Sequence, residues 1–336
     1  MTLKTGLIGC GMWGRTHAIA YRAHPKARLV AVYDLDHGKA KALAEEFDVP
    51  TVHHSAEELA ADPNVDAVSV ATPDFAHKEA ALAVVAAGKP LLIEKPLATT
   101  VEDAEAIYRA VTEKGILCMV DFHNRFNPQF DSAKRQITEG TLGEPRYIYM
   151  RHSNAHSVPL GMLSWSRQSS SLWFLGSHSS DLVRWLVGGE VEEVYGVNNF
   201  GVLRERGLDV PDVWAYVLRF ASGAIASIEN AWILPKAVGG DFRSEIIGSK
   251  GVYYTHLSAP EVSELCTDDG RRRLDYLTQL NVQGIQYGFT LHSIQYFADC
   301  VMQDRAPFVT VKDGLENTRI LCAVEESARS RKPVRL

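Results

Sequence analysis

Thr5-Gly6-Leu7-Ile8-Gly9-Cys10-Gly11-Met12-Trp13-Gly14 stands near the start of the chain. After a helical run to His24 comes Ala27-Arg28-Leu29-Val30-Ala31-Val32-Tyr33-Asp34. Alone, G-x-G-x-x-G at Gly9, Gly11 and Gly14 is a weak pattern. Here a short apolar run precedes it, a helix follows it, and an acid closes the next apolar run about 20 residues on, which together make a dinucleotide-binding βαβ unit. Gly9 permits the tight turn, Gly11 lets backbone approach a pyrophosphate, and Gly14 lets the helix pack close to the strand. Met12 and Trp13 lie within the same turn, where the helix N-terminus offers N–H groups to phosphate. Asp34 is placed to accept hydrogen bonds from the adenosine ribose and to repel a 2′-phosphate. The expected cofactor is therefore NAD rather than NADP. Leu35 to Lys41 contains no arginine, and only His37 and Lys39 could offset a 2′-phosphate.

The chain has 336 residues, 46% hydrophobic and 23% charged, a composition ordinary for a globular enzyme and too long for one typical core. The formal net charge of −6 disfavours nucleic acid as a partner. Apolar runs fall short of the roughly 20 residues that span a bilayer. Met1-Thr2-Leu3-Lys4 leads straight into a strand, so no signal peptide is expected. Cys10, Cys118, Cys266, Cys300 and Cys322 are scattered, without metal-ligand spacing. The chain reads as a cytoplasmic protein with free thiols, no metal site and no membrane attachment.

Helical and strand patterns alternate after Asp34. Lys39 to Phe47 has one apolar face, Ser55 to Glu58 reads as a capping box, and Val65 to Thr72 is a valine-rich strand. A helix from Ala76 to Ala87, a strand from Pro90 to Glu94, a Thr100-capped helix ending at Gly115 and a strand from Ile116 to Phe122 follow. This implies an α/β domain over residues 1–122, with a parallel sheet covered on both faces. Ligands of such sheets bind outside the carboxyl ends of the strands, which draws attention to Thr72, Pro73, Glu94, Lys95, Pro96 and His123. Lys95, by itself a surface lysine after a strand, gains weight from that position. There it would face the nicotinamide end of the cleft, as an acid/base or a donor to a substrate hydroxyl.

Glu94-Lys95-Pro96 following such a fingerprint, with Ala71-Thr72-Pro73 and His77 between, resembles the glucose–fructose oxidoreductase and inositol dehydrogenase family. The resemblance extends through Phe122 to Pro128, Leu142-Gly143-Glu144-Pro145 and Asp313 to Leu336. It implies a Rossmann domain followed by an α+β domain on a large open sheet, and NAD(H)- or NADP(H)-linked oxidation of a secondary alcohol on a sugar or cyclitol.

Residues 123–336 would then form the substrate-binding and oligomerisation domain, with the terminal segment free to pack back on the first. Strands are expected at Arg146 to His152, Val191 to Phe200, Val213 to Phe220, Ala224 to Leu234, Arg243 to Ile247, Val252 to His256 and Glu261 to Thr267. Their tight turns imply a mostly antiparallel sheet. Trp214, Tyr216, Leu218 and Phe220 share one face, and Val213, Ala215 and Val217 the other. Two apolar faces suggest a homodimer or homotetramer, although helices of the same chain could cover one.

Ser153 to Trp173 shows no period. His156, Trp165 and Arg167 with clustered serines suit a sugar, and a surface loop explains the stretch equally well. His178, on a helical face with Leu182 and Trp185, reads locally as a core histidine. The resemblance makes it the catalytic histidine, in a Gly-x-His-x-x-Asp context where Asp181 is structural. Many family members carry an aspartate four residues before this histidine; here that residue is Phe174. Lys95 and His178 are thus the candidate proton-handling pair. A nucleotide-sensing regulator without turnover, or an enzyme recycling tightly held NAD within one cycle, remain as alternatives.

Overall fold

The first sheet is built from runs in which nearly every side chain is buried. Strands β1 (Leu3–Ile8), β2 (Ala27–Tyr33), β3 (Thr51–Val52), β4 (Ala67–Val70), β5 (Leu91–Glu94) and β6 (Cys118–Asp121) are all parallel, in the order β3-β2-β1-β4-β5-β6. Helices α1 (Met12–Ala23), α2 (His37–Phe47), α3 (Ala56–Ala61), α4 (His77–Ala86) and α5 (Val101–Lys114) make the crossovers. A strand fully buried on both faces has no polar alternation, hence the valine and leucine runs. This is the computed structural model of the chain, and it describes residues 2–256, 263–267, 270–274, 279–282 and 285–336.

Local chemistry sets the helix starts. Asp36 caps α2 by accepting from Gly38 N, and Thr100 caps α5 by accepting from Asp103 N. Ser55 accepts from Glu58 N at 3.0 Å, while Glu58 reaches back to His54 N at 2.9 Å, one residue earlier than a strict capping box. Helix α1 differs: Gly11 is its N-cap, no side chain caps it, and its first turn holds no acid.

The chain divides into two units, Met1–His123 with Gln279–Thr318, and Asn124–Thr278 with Arg319–Leu336. In the second lie α6 (Pro128–Thr138), β7 (Pro145–Asn154), α7 (Ser177–Val187), β8 (Val191–Asn199), α8 (Val202–Glu205), β9 (Val213–Phe220), β10 (Ile225–Ala231), β11 (Gly240–Gly248) and β12 (Gly251–His256). Strands β13 (Ser263–Thr267) and β14 (Gly270–Leu274) follow. Glu261 and Val262 of the expected strand lie outside the described residues. Strands β15 (Gln279–Val282) and β16 (Ile285–Gly288) and helix α9 (Phe289–Gln303) belong to the first unit. There α9 meets α1 through Gln295, which donates to Ala20 O at 3.3 Å. Helix α10 (Val311–Ser330) and β17 (Val334–Arg335) complete the chain.

The second sheet runs β14-β13-β12-β11-β7-β10-β9-β8-β17, antiparallel except where β10 pairs parallel with β7. Trp214, Tyr216, Leu218 and Phe220 are buried against Phe130 of α6, Leu182 and Leu186 of α7 and Leu321 of α10. Helices of the same chain therefore cover one of the two apolar faces. On the other, Tyr195, Val197, Val217, Ile225 and Tyr254 remain exposed. No helix among the described residues is long and apolar enough to cross a membrane.

Candidate active site

In the first unit the sheet order changes direction between β1 and β4, and the Gly9–Gly14 turn sits there. Gly9 has φ +98°, and a Cβ on it would meet Ala71 O at 2.5 Å. A Cβ on Gly14 would run into the Gly9 carbonyl, so strand and helix touch through backbone. Gly11 is the exception: a Cβ there would meet nothing within 4 Å. An uncapped helix N-terminus opening onto free space is what an anion requires. Asp34 is held by backbone on both oxygens, Cys10 N donating at 2.7 Å and Asp36 N at 2.8 Å. Each oxygen keeps acceptor capacity for a ribose hydroxyl. His37 stacks on His54 with ring centroids 4.9 Å apart, and Lys39 Nζ lies 3.9 Å from Asp36. Both cations that could meet a 2′-phosphate thus have other neighbours. The residues present fit a dinucleotide.

At the carboxyl ends of β4 and β5, His77 bridges two loops, its ring nitrogens 3.0 Å from Thr72 O and 2.7 Å from Pro96 O. Burial pushes its pKa down to about 4, against the pull of those carbonyls, and the Lys95 charge lowers it further. The Lys95–Pro96 peptide is cis. Pro73 precedes the short turn leading into α4. Lys95 is buried, 5% exposed. Burial lowers its pKa, while Glu94 first and then Asp74 oppose that. His123 lies 5.4 Å from the Trp13 ring and 5.8 Å from Phe289, with its pKa lowered to about 3 by burial first and then by the Lys95 charge.

Sequence reasoning missed a cluster behind Lys95. His17 of α1, Glu94 of β5 and Asp121 of β6 are buried, with one donor or acceptor atom of each within 4.8 Å of the others. An acid closing an otherwise apolar strand, as at Glu94 and again at Asp121, was the available signal.

In the second unit His178 is buried, 8% exposed, on the first turn of α7. The helix is fastened to the sheet by Asn230, whose Nδ2 donates to His152 O and to Ser179 Oγ at 3.1 Å each and whose Oδ1 accepts from Tyr216 OH at 3.0 Å. Asp181 receives Arg125 on both oxygens, Nε at 2.9 Å and a terminal nitrogen at 2.5 Å, with both side chains almost fully buried. Such a pair locks α7 in place, and breaking it would strand a buried charge. Phe174 lies between Trp165 at 6.2 Å and Trp232 at 5.9 Å. An aspartate there would be desolvated among aromatic rings.

The aperiodic stretch folds in turn-length helical pieces, Val158–Met162, Ser166–Gln168 and Leu172–Gly176. These pack on a small core of Leu163, Leu175, Leu203, Leu208, Val210 and Trp232. Trp165 is half-buried, Arg167 exposed, and His156 half-buried with its backbone N bound to Leu234 O at 2.9 Å. A cavity of about 350 Å³ in this unit is lined by their neighbours Gln168, Ser170 and Trp173, with Trp214 and Glu325. His156, Trp165, Arg167 and His178 are not among its lining residues.

Two family models match: an oxidoreductase family with an NAD-binding Rossmann fold over residues 3–122, and a GFO/IDH/MocA C-terminal domain over residues 130–254. An inositol 2-dehydrogenase of Saccharopolyspora erythraea is 35% identical over 260 residues, covering 76% of this chain and 74% of its own. The chain belongs to the glucose–fructose oxidoreductase and inositol dehydrogenase family. It is an NAD-linked oxidoreductase of that family, with the Rossmann domain first and the mixed, mostly antiparallel sheet second. The scyllo-inositol 2-dehydrogenase (NAD(+)) of Bacillus subtilis is 29% identical over 350 residues, covering 99% of this chain and 96% of its own. A levoglucosan dehydrogenase solved with NADH and levoglucosan superposes with a TM-score of 0.89 at 28% identity, over 100% of this chain and 99% of that one.

Proposed function

We propose that this protein is a dehydrogenase that interconverts a secondary alcohol and a ketone on a cyclitol or a sugar ring, with Lys95 and His178 handling the proton. The observation that carries the reading is Lys95, a buried lysine at the carboxyl end of β5, in the same unit as an uncapped helix N-terminus and a backbone-held Asp34. Gly9, Gly11, Met12, Trp13 and Gly14 form the turn toward the pyrophosphate, and Asp34 takes the ribose. Thr72, Pro73, His77, Glu94, Pro96 and His123 shape the strand ends around the lysine. NAD held by these residues would supply the acceptor or donor of the hydride.

Lys95 holds the substrate oxygen and stabilises negative charge as it develops there. Its charge is supported first by the neighbouring Glu94 carboxylate and then by Asp74. His178, on a helix anchored by Asn230 and by the Arg125–Asp181 pair, takes the hydroxyl proton as a neutral imidazole. The roles of His156, Trp165 and Arg167 in holding hydroxyls belong to the same proposal. The names of the relatives support inositols and levoglucosan as the first compounds to try.

The test is a screen of inositols, anhydrosugars and pyranoses with NAD, read at the NADH absorbance and repeated with Lys95→Met. Turnover that vanishes in the variant supports the reading. If no compound turns over while NADH binds, a nucleotide-binding regulator becomes the better account. We also propose that a second copy of this chain covers the sheet face carrying Tyr195, Val197, Val217, Ile225 and Tyr254, because five large apolar side chains stay exposed together there. Light scattering giving only the 37.1 kDa species at micromolar concentration would overturn this.

A further inference from the structure

The cluster behind Lys95 has a definite hydrogen-bond logic. Both Glu94 oxygens accept: His17 Nε2 lies 3.0 Å from Oε1, and the Lys95 backbone N donates to Oε2 at 3.3 Å. His17 Nδ1 has no hydrogen-bond partner among the described residues. An imidazolium would leave a bare buried N–H there, so His17 is the neutral tautomer with its proton on Nε2. Glu94 and Asp121 bring carboxyl oxygens within 4.8 Å of each other in this buried cluster, and two ionised carboxylates are acceptors only and repel at that separation, so one of them carries a proton toward the other. Asp121 Oδ1 has no partner among the described residues. A bare oxygen is tolerable on a neutral carboxyl and costly on a buried carboxylate. Geometry therefore makes Asp121 the acid and Glu94 the carboxylate.

We propose that Glu94 and Asp121 share one proton beneath Lys95, with Asp121 a positioning residue that keeps the charge on Glu94 and so keeps Lys95 an ammonium. The inference rests on the assignment of Lys95 to the proton-handling site. Charged and titratable groups face the pair from several elements. Lys95 lies beside Glu94, His17 and Tyr21 come from α1, Asp74 from the turn before α4, and His77 and His123 carry the influence of Lys95. Ser293 of α9, whose hydroxyl donates to Thr290 O at 3.0 Å, faces Asp121. Burial raises Glu94 to about 7, the Lys95 charge and the Asp121 hydrogen bond opposing it, and burial with the Glu94 charge raises Asp121 well above the usual carboxylate range. The two titrate as a coupled pair. Above neutral pH the pair holds one negative charge; below it a second proton enters and Lys95 loses its nearest counter-charge.

Two substitutions separate this from a packing role. Asp121→Asn keeps a donor toward Glu94, and Asp121→Leu removes it. A lost hydrogen bond to a charged acceptor corresponds to a shift of about one to two pH units in the acid limb of kcat/KM, so Asp121→Leu is expected to move that limb upward while Asp121→Asn leaves it near wild type. An infrared difference spectrum of the cofactor-free protein at pH 8, wild type minus Asp121→Asn, is expected to show the C=O stretch of a protonated carboxyl lost in the variant. Absence of that band overturns the proposal whether or not a substrate has been found. An unmoved acid limb in Asp121→Leu overturns it as well. Absence of any turnover in the wild type, with the band present, counts against the enzyme reading and leaves the shared proton standing.

Discussion

Replacing Gly11 with alanine separates cofactor binding from folding. Gly11 has φ −75° and ψ −160°, which any residue adopts, and its Cβ would touch nothing within 4 Å. Alanine there restricts the unfolded chain, worth about 0.4–1 kcal/mol in favour of folding. It also fills an N-cap that prefers glycine to alanine, a cost of similar size. The two nearly cancel, so Tm should stay within about 2 °C of wild type. The methyl group, however, occupies the approach of a phosphate to the N-terminus of α1. Losing one hydrogen bond to a charged group costs about 1.5–3 kcal/mol, or about 10- to 100-fold in the Kd for NADH. Gly14→Ala is the control, since its Cβ collides with the Gly9 carbonyl and strain of about 1–3 kcal/mol should lower Tm as well. Scanning calorimetry gives Tm and isothermal titration gives Kd. If Gly11→Ala binds NADH like the wild type, the open space above Gly11 is not where the pyrophosphate lies.

Three further outcomes follow from the same geometry. Asp34→Ser should narrow the ratio of kcat/KM between NAD and NADP on one substrate; a wild-type preference for NADP would remove Asp34 from its role. His178→Ala should lower kcat by about 10²–10⁴-fold with NADH affinity nearly unchanged, and Lys95→Met at least as much; near-full activity in His178→Ala would leave the proton to Lys95 alone. His152 is buried between Phe130 and Phe242 with its pKa pushed down to about 4 from 6.5 by burial. A base depressed in the fold contributes stability above its unfolded pKa and loses it as pH falls from 6.5 toward 4, here by roughly 3 kcal/mol. His152→Leu should flatten the fall in Tm across that window, and an unchanged slope would place the acid sensitivity at other groups.

The nucleotide half of the site was legible because each of its signals is local. A glycine turn, the helix after it and Asp34 at the end of the next strand lie within one βαβ unit, whose geometry allows one hand and one register. The caps at Ser55 and Thr100 were equally readable, since a side-chain oxygen reaches only two or three residues ahead. The antiparallel hairpin of β9 and β10 followed from alternation on either side of Ser222-Gly223, where the chain turns through Ala221, Ser222 and Gly223.

What the sequence by itself determined, then, was the fold class, the two kinds of sheet and the positions of Lys95 and Asp34. Tertiary structure alone decided the rest. The parallel pairing of β7 with β10 joins strands far apart in the chain, and no local period encodes it. The stretch around Trp165 has no period because its pieces are single turns, brought together on one small core by Leu203, Leu208, Val210 and Trp232 from elsewhere in the chain. Phe174 stood out as a missing aspartate, yet its aromatic surroundings depend on Trp232, which arrives from the end of β10. His17, Glu94 and Asp121 come from three elements and meet only when α1, β5 and β6 stack. Whether a buried carboxyl is an acid or a carboxylate depends on which donors surround it in space, and the order of residues along the chain does not carry that information.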